Sequence, residues 1–149
     1  MTHISKKIPQ FFPRKVIPNP NGNILHGLRK DDDQFLEFGE VYVSKLNKGA
    51  VKGWKKHLKA TLNLIVTQGT VRFVVLSESN TDNNNIQICL DLSVGEANHG
   101  LLVIPPGFWL AFGASNNGEA TIVNISTETH DPLESVSNSF IAFEEHWSL

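Results

Sequence analysis

The residues best suited to chemistry lie in a short basic run, Lys52 to Lys59, which also contains His57. Histidine takes up and releases protons near neutral pH, so His57 is a candidate general base. Lys55 could be the base instead, but only if burial and the like charge of Lys56 kept its amine unprotonated. The same run is also typical of a solvent-exposed strand edge on which lysines prevent sheet-to-sheet association, with His57 as an interior histidine.

Aromatic side chains near this run could hold a sugar or a nucleobase. Tyr42, Trp54 and Trp109 offer flat surfaces of the kind that such ligands pack against. Trp109 lies next to Leu110 and close to Phe112, so a place in the core or at a dimer interface explains it equally well. Tyr42 and Trp54 are therefore open candidates for ligand binding, and so is Trp109.

The elements that must position these residues are strands. From Val41 onward, short apolar stretches alternate with turn signals, a spacing typical of an all-β sandwich or barrel. In two successive stretches the apolar residues recur with the two-residue period of a strand, which places them on one face. They are Leu62, Leu64, Val66, Val71, Phe73 and Val75.

The two ends of the chain have different patterns. Four prolines within residues 9–20 predict an extended N-terminal arm over residues 1–22, and residues 23–149 are expected to form a single domain. In the tail, Phe140 and Phe143 indicate one short helix with Ser139 as its N-cap.

The composition limits the function classes. A chain of 149 residues with 40% hydrophobic content is long enough for one core. The formal net charge of -2 gives no basic field for nucleic acid, and no apolar run is long enough to cross a membrane. The basic start lacks the apolar core of a signal peptide, so we expect a cytoplasmic protein. With Cys89 as the single cysteine, an internal disulfide is excluded.

Three anchors carry a resemblance to a known family: Gly-Glu-Val-Tyr-Val-Ser at residues 39–44, Lys-Gly-Trp at 52–54 and Ile-Pro-Pro-Gly at 104–107. In this order and spacing the chain resembles the dTDP-4-dehydrorhamnose 3,5-epimerases and their short sugar-isomerase relatives, over roughly residues 23–132. The resemblance implies a cupin-type double-stranded β-helix, that is, a jelly-roll barrel. It also implies a homodimer and a dTDP-linked sugar as ligand, with Lys52 at the diphosphate, for which lysine is suited.

The spacing of the general cupin motifs is kept while their ligands are lost. In the first motif a Gly is followed after five residues by His-x-His, after four more by Glu and after six more by a second Gly. The second motif is Pro-x-Gly-x-x-His. Their positions fall here on Gly49, Lys55, His57, Leu62 and Gly69, and on Pro105, Gly107 and Leu110. Of the four ligand positions only His57 can coordinate a metal, and a protonated lysine beside it would repel a cation. We expect no metal and no cofactor.

The resemblance also implies two proton-transfer groups that this chain replaces. In the family a histidine at the Lys55 position removes the proton beside a ketone, and a tyrosine at the Asn124 position returns one to the opposite face. The carboxylate that orients the histidine lies in a C-terminal segment of the longer members. The candidate site is therefore made of Lys55 and His57 as bases and of Lys52, Tyr42, Trp54, Trp109 and Asn124 as substrate-binding residues.

Two functions remain open from the sequence. One is a metal-independent sugar-nucleotide 3,5-epimerase or ketoisomerase of deoxysugar and surface-polysaccharide biosynthesis. The other is a catalytically inactive homologue that binds a nucleotide sugar or partners an active relative. Leu62, Leu110 and Asn124 favour the second, because the leucines remove polar groups and an amide at position 124 cannot exchange a proton as the family's tyrosine does.

Overall fold

The computed structural model of the protein describes residues 8–79 and 85–148. Almost all of its regular structure is strand. The strands are β1 Gln10–Pro13, β2 Val16–Ile17, β3 Ile24–Leu25, β4 Glu40–Leu46, β5 Val51–His57, β6 Leu62–Gln68, β7 Thr70–Glu78, β8 Ile86–Gly95, β9 Gly100–Ile104, β10 Trp109–Ala114, β11 Ala120–Ser126 and β12 Ser135–Ser137.

Ten of these strands form two antiparallel five-stranded sheets. The first has the order β1-β9-β6-β11-β4 and the second the order β12-β5-β10-β7-β8, while β2 and β3 pair as a small separate hairpin. From β4 to β7, and again from β9 to β12, the chain crosses from one sheet to the other with each new strand. This crossing is the jelly-roll topology of a double-stranded β-helix. The expected all-β cupin-type fold is confirmed.

The core lies between the two sheets. All six residues in which the two-residue period was recognised are buried, and they belong to one apolar cluster. Val71 and Val75 have no exposed surface at all. Burying a side chain of this size stabilises the fold by about 1.5–3 kcal/mol, so the alternation along β6 and β7 fixes which face of each strand points inward.

The proline-rich N-terminal segment contributes a strand to the barrel. Residues 10–13 form β1 and pair with β9, with Phe11 opposite Leu102 and Phe12 opposite Leu101. Pro13 ends this strand, where a missing backbone N–H is tolerated because β1 stands at the end of its sheet. At least these four residues therefore belong to the same barrel as residues 23 onward.

The C-terminal tail contains the expected short helix. A 3₁₀ turn at Phe140–Phe143 leads into a single α-helical turn, α1 Glu144–Trp147. Ser139 precedes the 3₁₀ turn, but its side chain makes no capping hydrogen bond, so its expected role as a cap was wrong. Neither α1 nor any other helix in the described part of the chain could cross a membrane.

Candidate functional site

A cavity of about 320 Å³ lies between the two sheets, lined by residues of both. Part of its lining is apolar and comes from the core itself: Leu62, Leu64, Phe73, Leu110, Phe112 and Ile122. The other part is polar and includes Tyr42, Ser44, Lys52, Lys55, His57 and Asn124. The cavity thus combines an apolar floor with a small set of groups able to bind or ionise, as small-molecule sites generally do.

A β-bulge in β5 brings the two lysines to the same side. Leu110 of β10 pairs with Lys55, whereas Phe112, two residues on, pairs with Lys52, so β5 carries one extra residue here. In a regular strand, positions three apart face opposite sides, but the bulge lets both lysines line the cavity. Strands β5 and β10 lie very close together at Gly53, where an added Cβ would lie 2.5 Å from the Cβ of Ala111.

His57 forms a pair with a buried carboxylate. Its Nδ1 lies 2.6 Å from Oε1 of Glu134, whose side chain is 9% exposed. The other oxygen, Oε2, accepts hydrogen bonds from the backbone N–H groups of Leu58, Lys59 and Ala60 at 3.0, 2.9 and 2.8 Å. The backbone of the turn that follows β5 therefore binds the carboxylate and positions it against the imidazole.

These contacts set the charge of Glu134 and the tautomer of His57. Burial opposes ionisation, but the hydrogen bonds from His57 and from the backbone of Ala60 and Lys59 outweigh it and hold the pKa of Glu134 at about 2. An ionised carboxylate can only accept, so Nδ1 of His57 must donate to it. In the neutral form of the ring, the other nitrogen, Nε2, then carries the lone pair and can accept a proton from a ligand.

Tyr42 and Asn124 form a second polar pair on the first sheet. They are direct partners in the register of β4 and β11, and Nδ2 of Asn124 donates to the Tyr42 hydroxyl at 2.7 Å. Asn124 is buried, and its Oδ1 has no hydrogen-bond partner among the described residues. Burial raises the pKa of the Tyr42 phenol, an effect that the bond from Asn124 only partly offsets. The phenol therefore keeps its proton at neutral pH.

A second cavity, of about 330 Å³, adjoins the first. It shares Tyr42, Lys55 and His57 with the first cavity, and the rest of its lining is polar. The added residues include Glu40, Ser126, Glu128, His130, Asp131 and Glu134. Tyr42, Lys55 and His57 thus lie at the junction between the first cavity, which has an apolar floor, and the polar second cavity. A ligand with both apolar and polar surface could occupy the two cavities together.

The fold and this site can be compared with solved structures. A dTDP sugar isomerase from Desulfovibrio desulfuricans superposes with a TM-score of 0.82 at 30% sequence identity, over 88% of this chain and 83% of that one. This chain belongs to the dTDP-sugar isomerase family. No family model and no curated protein matches the sequence.

More distantly related solved structures share the fold. A dTDP-4-dehydrorhamnose 3,5-epimerase from Sulfolobus tokodaii matches with a TM-score of 0.76 at 20% identity, over 89% of this chain and 78% of that one. QdtA, a sugar 3,4-ketoisomerase from Thermoanaerobacterium thermosaccharolyticum crystallised with TDP, matches with a TM-score of 0.67 at 18% identity, over 94% and 95% of the two chains.

The cupin positions of this family member converge as their spacing predicted. Lys55, His57, Leu62 and Leu110 all line the first cavity. Two apolar side chains thus occupy places that hold ligands in metal-binding cupins. Within residues 8–79 and 85–148, no three side chains of the metal-ligating types are grouped so that they could hold an ion.

Trp109 does not belong with the other candidate site residues. It is 6% exposed and packs in the second apolar cluster, on the other face of β10 from Leu110. Its Nε1 donates to Glu78 at 3.2 Å, and Nζ of Lys56 lies 4.8 Å from the centre of one of its rings. The expectation that Trp109 binds substrate is corrected: its indole faces outward from the barrel, because alternate residues of a strand face opposite sides.

Trp54 lies at the cavity wall but does not offer its ring to a ligand. Its indole is 1% exposed, stacks on Phe140 with ring centres 6.1 Å apart and meets the edge of Phe143. Its Nε1 donates to the carbonyl oxygen of Phe140 at 3.1 Å. Trp54 is therefore an anchor for the C-terminal segment, which runs on from Glu134 through β12.

Sequence reasoning missed two contributors to the site. Glu134 is 77 residues from His57, and the only local signal for it is the Asp-Pro-Leu-Glu turn, in which Asp131 accepts from the backbone N–H of Leu133 at 2.9 Å. Ser44 accepts a hydrogen bond from Nζ of Lys52 at 3.0 Å, as its two-residue offset from Tyr42 on β4 would allow.

Proposed function

We propose that the protein moves a proton at a carbon beside the ketone of a dTDP-linked 4-keto-6-deoxy sugar. It would act as a metal-independent epimerase or ketoisomerase of deoxysugar biosynthesis, of the kind that supplies surface polysaccharides. The observation that carries the proposal is the His57–Glu134 pair at the cavity. A neutral imidazole whose Nδ1 is tied to a carboxylate is the arrangement of a general base.

His57 is a better base than Lys55. In the neutral imidazole, Nδ1–H donates to Glu134 and the lone pair lies on Nε2, whereas a lysine amine gains its lone pair only by losing a proton. Lys55 is exposed and lines both cavities next to His57, so its ammonium suits the stabilisation of the negative charge that develops on the enolate oxygen.

The ligand class follows from the rest of the lining. Lys52, held by Ser44, presents a positive charge for the diphosphate. The apolar floor, with Leu62 and Leu110, accommodates a methyl group better than a hydroxyl, since a buried hydroxyl without a partner costs about 1–3 kcal/mol. Among the relatives, ChmJ was crystallised with dTDP-quinovose, and a variant of QdtA with TDP-4-keto-6-deoxyglucose.

Solvent deuterium exchange tests the reaction directly. The protein is incubated in D₂O with dTDP-linked 4-keto-6-deoxy sugars, and deuterium on the carbons beside the ketone is followed by NMR. We expect exchange by the natural chain and a loss of at least ~100-fold in His57→Gln, which is the usual size of a general-base contribution. His26→Gln, a histidine outside both cavities, should exchange like the natural chain.

The inactive homologue remains the second candidate, because Leu62 and Leu110 replace polar positions of the cupin motifs. Thermal unfolding in the presence of dTDP separates the two. Binding at a hundredfold excess over Kd should stabilise the chain by about 2.7 kcal/mol. Stabilisation by dTDP without exchange on any sugar would favour the inactive homologue, and a lack of both would contradict both functions.

A further inference from the structure

We propose that Trp147, which lies outside both cavities, is a positioning residue for the His57–Glu134 pair. It anchors the far end of the C-terminal segment, residues 134–147, so that the carboxylate reaches the imidazole only while this segment is docked on the second sheet. The inference rests on the proposed function where it concerns the reaction, but the docking itself can be measured without any substrate.

The segment begins at the cavities and ends on the outer face of the second sheet. Glu134 lines the second cavity, and Ser137 and Asn138 line the first. The 3₁₀ turn and α1 then place three aromatic side chains against the outer apolar cluster, which contains Trp54 and Trp109. The contacts that hold the outer end can therefore decide where the inner end lies.

The apolar contacts of the segment are concentrated in its three aromatic side chains, Phe140, Phe143 and Trp147. Two other large apolar residues of the segment face solvent, since Val136 is 41% exposed and Ile141 is 72% exposed. α1 has only four residues, and a helix of this length does not persist without tertiary contacts. Docking of the outer end therefore depends on the packing of its rings.

The barrel has a shaped site for the ring of Trp147. The guanidinium of Arg72 lies 4.7 Å from the centre of this ring, and Nη1 of Arg72 donates to the backbone carbonyl oxygen of Trp147. Arg72 is itself bound by both oxygens of Asp91, at 3.0 and 2.9 Å. Gly113 leaves room for the indole, because a Cβ there would lie 2.9 Å from its ring. Residues of β7, β8 and β10 thus fix the last turn of the segment.

A continuous set of contacts joins Trp147 to the catalytic pair. Its ring meets that of Phe140 edge-on with centres 6.1 Å apart, and Phe140 stacks on Trp54. The backbone of Trp54 exchanges hydrogen bonds with Asn138 at 2.9 and 3.2 Å, and β12 then pairs with β5 as far as His57. An edge strand of three residues is marginal by itself. We therefore expect the outer docking and the carboxylate contact to form and break as one unit.

Amide hydrogen exchange of the full chain tests this coupling. The backbone N–H groups of Lys59 and Ala60 donate to Oε2 of Glu134, so their protection reports where the carboxylate lies. In Trp147→Ala both should exchange at least ~10-fold faster, because ring packing and a cation–π contact are lost. The amide of Val75 in the core should keep its natural rate. Trp147→Phe should recover most of the protection, since it restores an aromatic ring.

Two further variants make the test specific. Ile141→Ala alters an exposed residue of the same segment and should match the natural chain. The coupling must also run in the opposite direction, because energetic linkage is reciprocal. Glu134→Gln should therefore cost protection at the amide of Ala142, which donates to Ser139 within the 3₁₀ turn. A purely local effect of either substitution would not reach the other end of the segment.

The Nδ1–H proton of His57 connects the docking to the proposed reaction. Because it is bonded to a carboxylate, it should give a far-downfield NMR signal that is protected from exchange with water. In Trp147→Ala this signal should broaden. Deuterium incorporation into a dTDP-linked 4-keto-6-deoxy sugar should fall by the fraction of chains in which the segment is undocked, and Trp147→Phe should restore it.

The possible outcomes separate the docking from the reaction. Unchanged protection of Lys59 and Ala60 in Trp147→Ala would show that β12 alone holds Glu134 and would overturn the inference. Equal acceleration at Val75 would also overturn it, since Trp147 would then stabilise the whole barrel. Protection lost as expected, in a chain that incorporates no deuterium into any sugar, would support the docking and contradict the proposed function alone.

Discussion

Glu134 concentrates several contacts in one residue. One of its oxygens is bonded to the imidazole of His57 and the other to three successive backbone N–H groups after β5. The carboxylate therefore closes a turn of the backbone and fixes a histidine tautomer at the same time. A change at this position should affect both the stability of the fold and the orientation of the His57 ring.

The depressed pKa of Glu134 gives the first prediction. Its pKa falls from an ordinary 4.5 to about 2 on folding, so the carboxylate stabilises the folded state above pH 4.5. This stabilisation, about 3 kcal/mol from the size of the shift, is lost as the pH falls from 4.5 to 2. In Glu134→Gln the free energy of unfolding should lose this pH dependence and should be lower by about 1–3 kcal/mol at pH 7.

Urea denaturation at pH 7, 4 and 3 measures both effects. Glu119→Gln, an exposed carboxylate on the same chain, is the matched control and should leave the curve nearly unchanged. If Glu134→Gln and the natural chain lose stability equally between pH 7 and 3, the carboxylate does not carry the charge that its contacts imply.

At the residue scale the sequence predicted one half of the site. His57 and Lys55 could be placed at the cavity because the cupin spacing from Gly49 to Gly69 is kept without a gap. Glu134 could not be placed, since its contact to His57 spans 77 residues and depends on how the C-terminal segment pairs with β5. Nothing in local spacing encodes such a contact.

At the scale of single elements, the bulge in β5 decides which side chains reach the cavity. Lys52 and Lys55 share a side only because β5 carries one residue more than β10 between the pairs at Leu110 and Phe112. The two strands approach so closely that Gly53 has room for no side chain beside Ala111. The local shape of one strand is therefore a condition for the proposed binding of an anionic ligand.

Gly53→Ala tests this close approach. The new methyl group would lie 2.5 Å from Cβ and 2.9 Å from Cα of Ala111, so β5 and β10 must separate. We expect a loss of about 1–3 kcal/mol in the free energy of unfolding and weaker binding of dTDP, measured by urea denaturation and calorimetry. Gly118→Ala is the control, since a Cβ there meets nothing within 4 Å.

A second substitution makes this test more specific. In Gly53→Ala combined with Ala111→Gly, one of the two colliding methyl groups is removed, and the double variant should be more stable than the sum of the single losses predicts. Strict additivity of the two losses would show that the two side chains do not collide and would contradict the close approach.

Strand alternation was the most reliable guide at this scale, but it has a clear limit. It correctly placed Leu62 and Phe73 in the core, because runs of alternating apolar residues can be buried on one face only. It could not place Trp109, because β10 has apolar residues on both faces. It could not place Trp54 either, because Val51 and Trp54 are the only large apolar residues of β5 and too few to show an alternation. From the C-terminal segment, Phe140, Phe143 and Trp147 pack against the cluster that contains these two tryptophans. The alternation within a strand gives no information about contacts with such a distant segment.

At the scale of the whole molecule, the barrel consists of two facing sheets, and the first sheet has an edge strand with no neighbour on its outer side. β4, which carries Tyr42, stands at the end of the first sheet. Val41 and Val43 of this strand are 53% and 56% exposed, and Phe38 just before it is 61% exposed. An uncovered strand edge with apolar side chains invites pairing with another chain, so we expect a second copy of the chain to bind at β4.

The final prediction is therefore that the protein is a homodimer in which β4 lies at or next to the interface. Light scattering during size exclusion should give twice the 16.5 kDa mass of one chain. Val43→Lys should shift the equilibrium toward the monomer, because a charge would be buried without a partner, while Gln87→Lys on β8, at the end of the other sheet, should leave the mass unchanged. A measured mass of 16.5 kDa for the natural chain would exclude the dimer. A Val43→Lys variant that stays dimeric would place the interface elsewhere on the chain. If the dimer forms as expected, Val43→Lys should also reduce turnover without touching the cavity, because the strand that positions Tyr42 would lose its support on the open side.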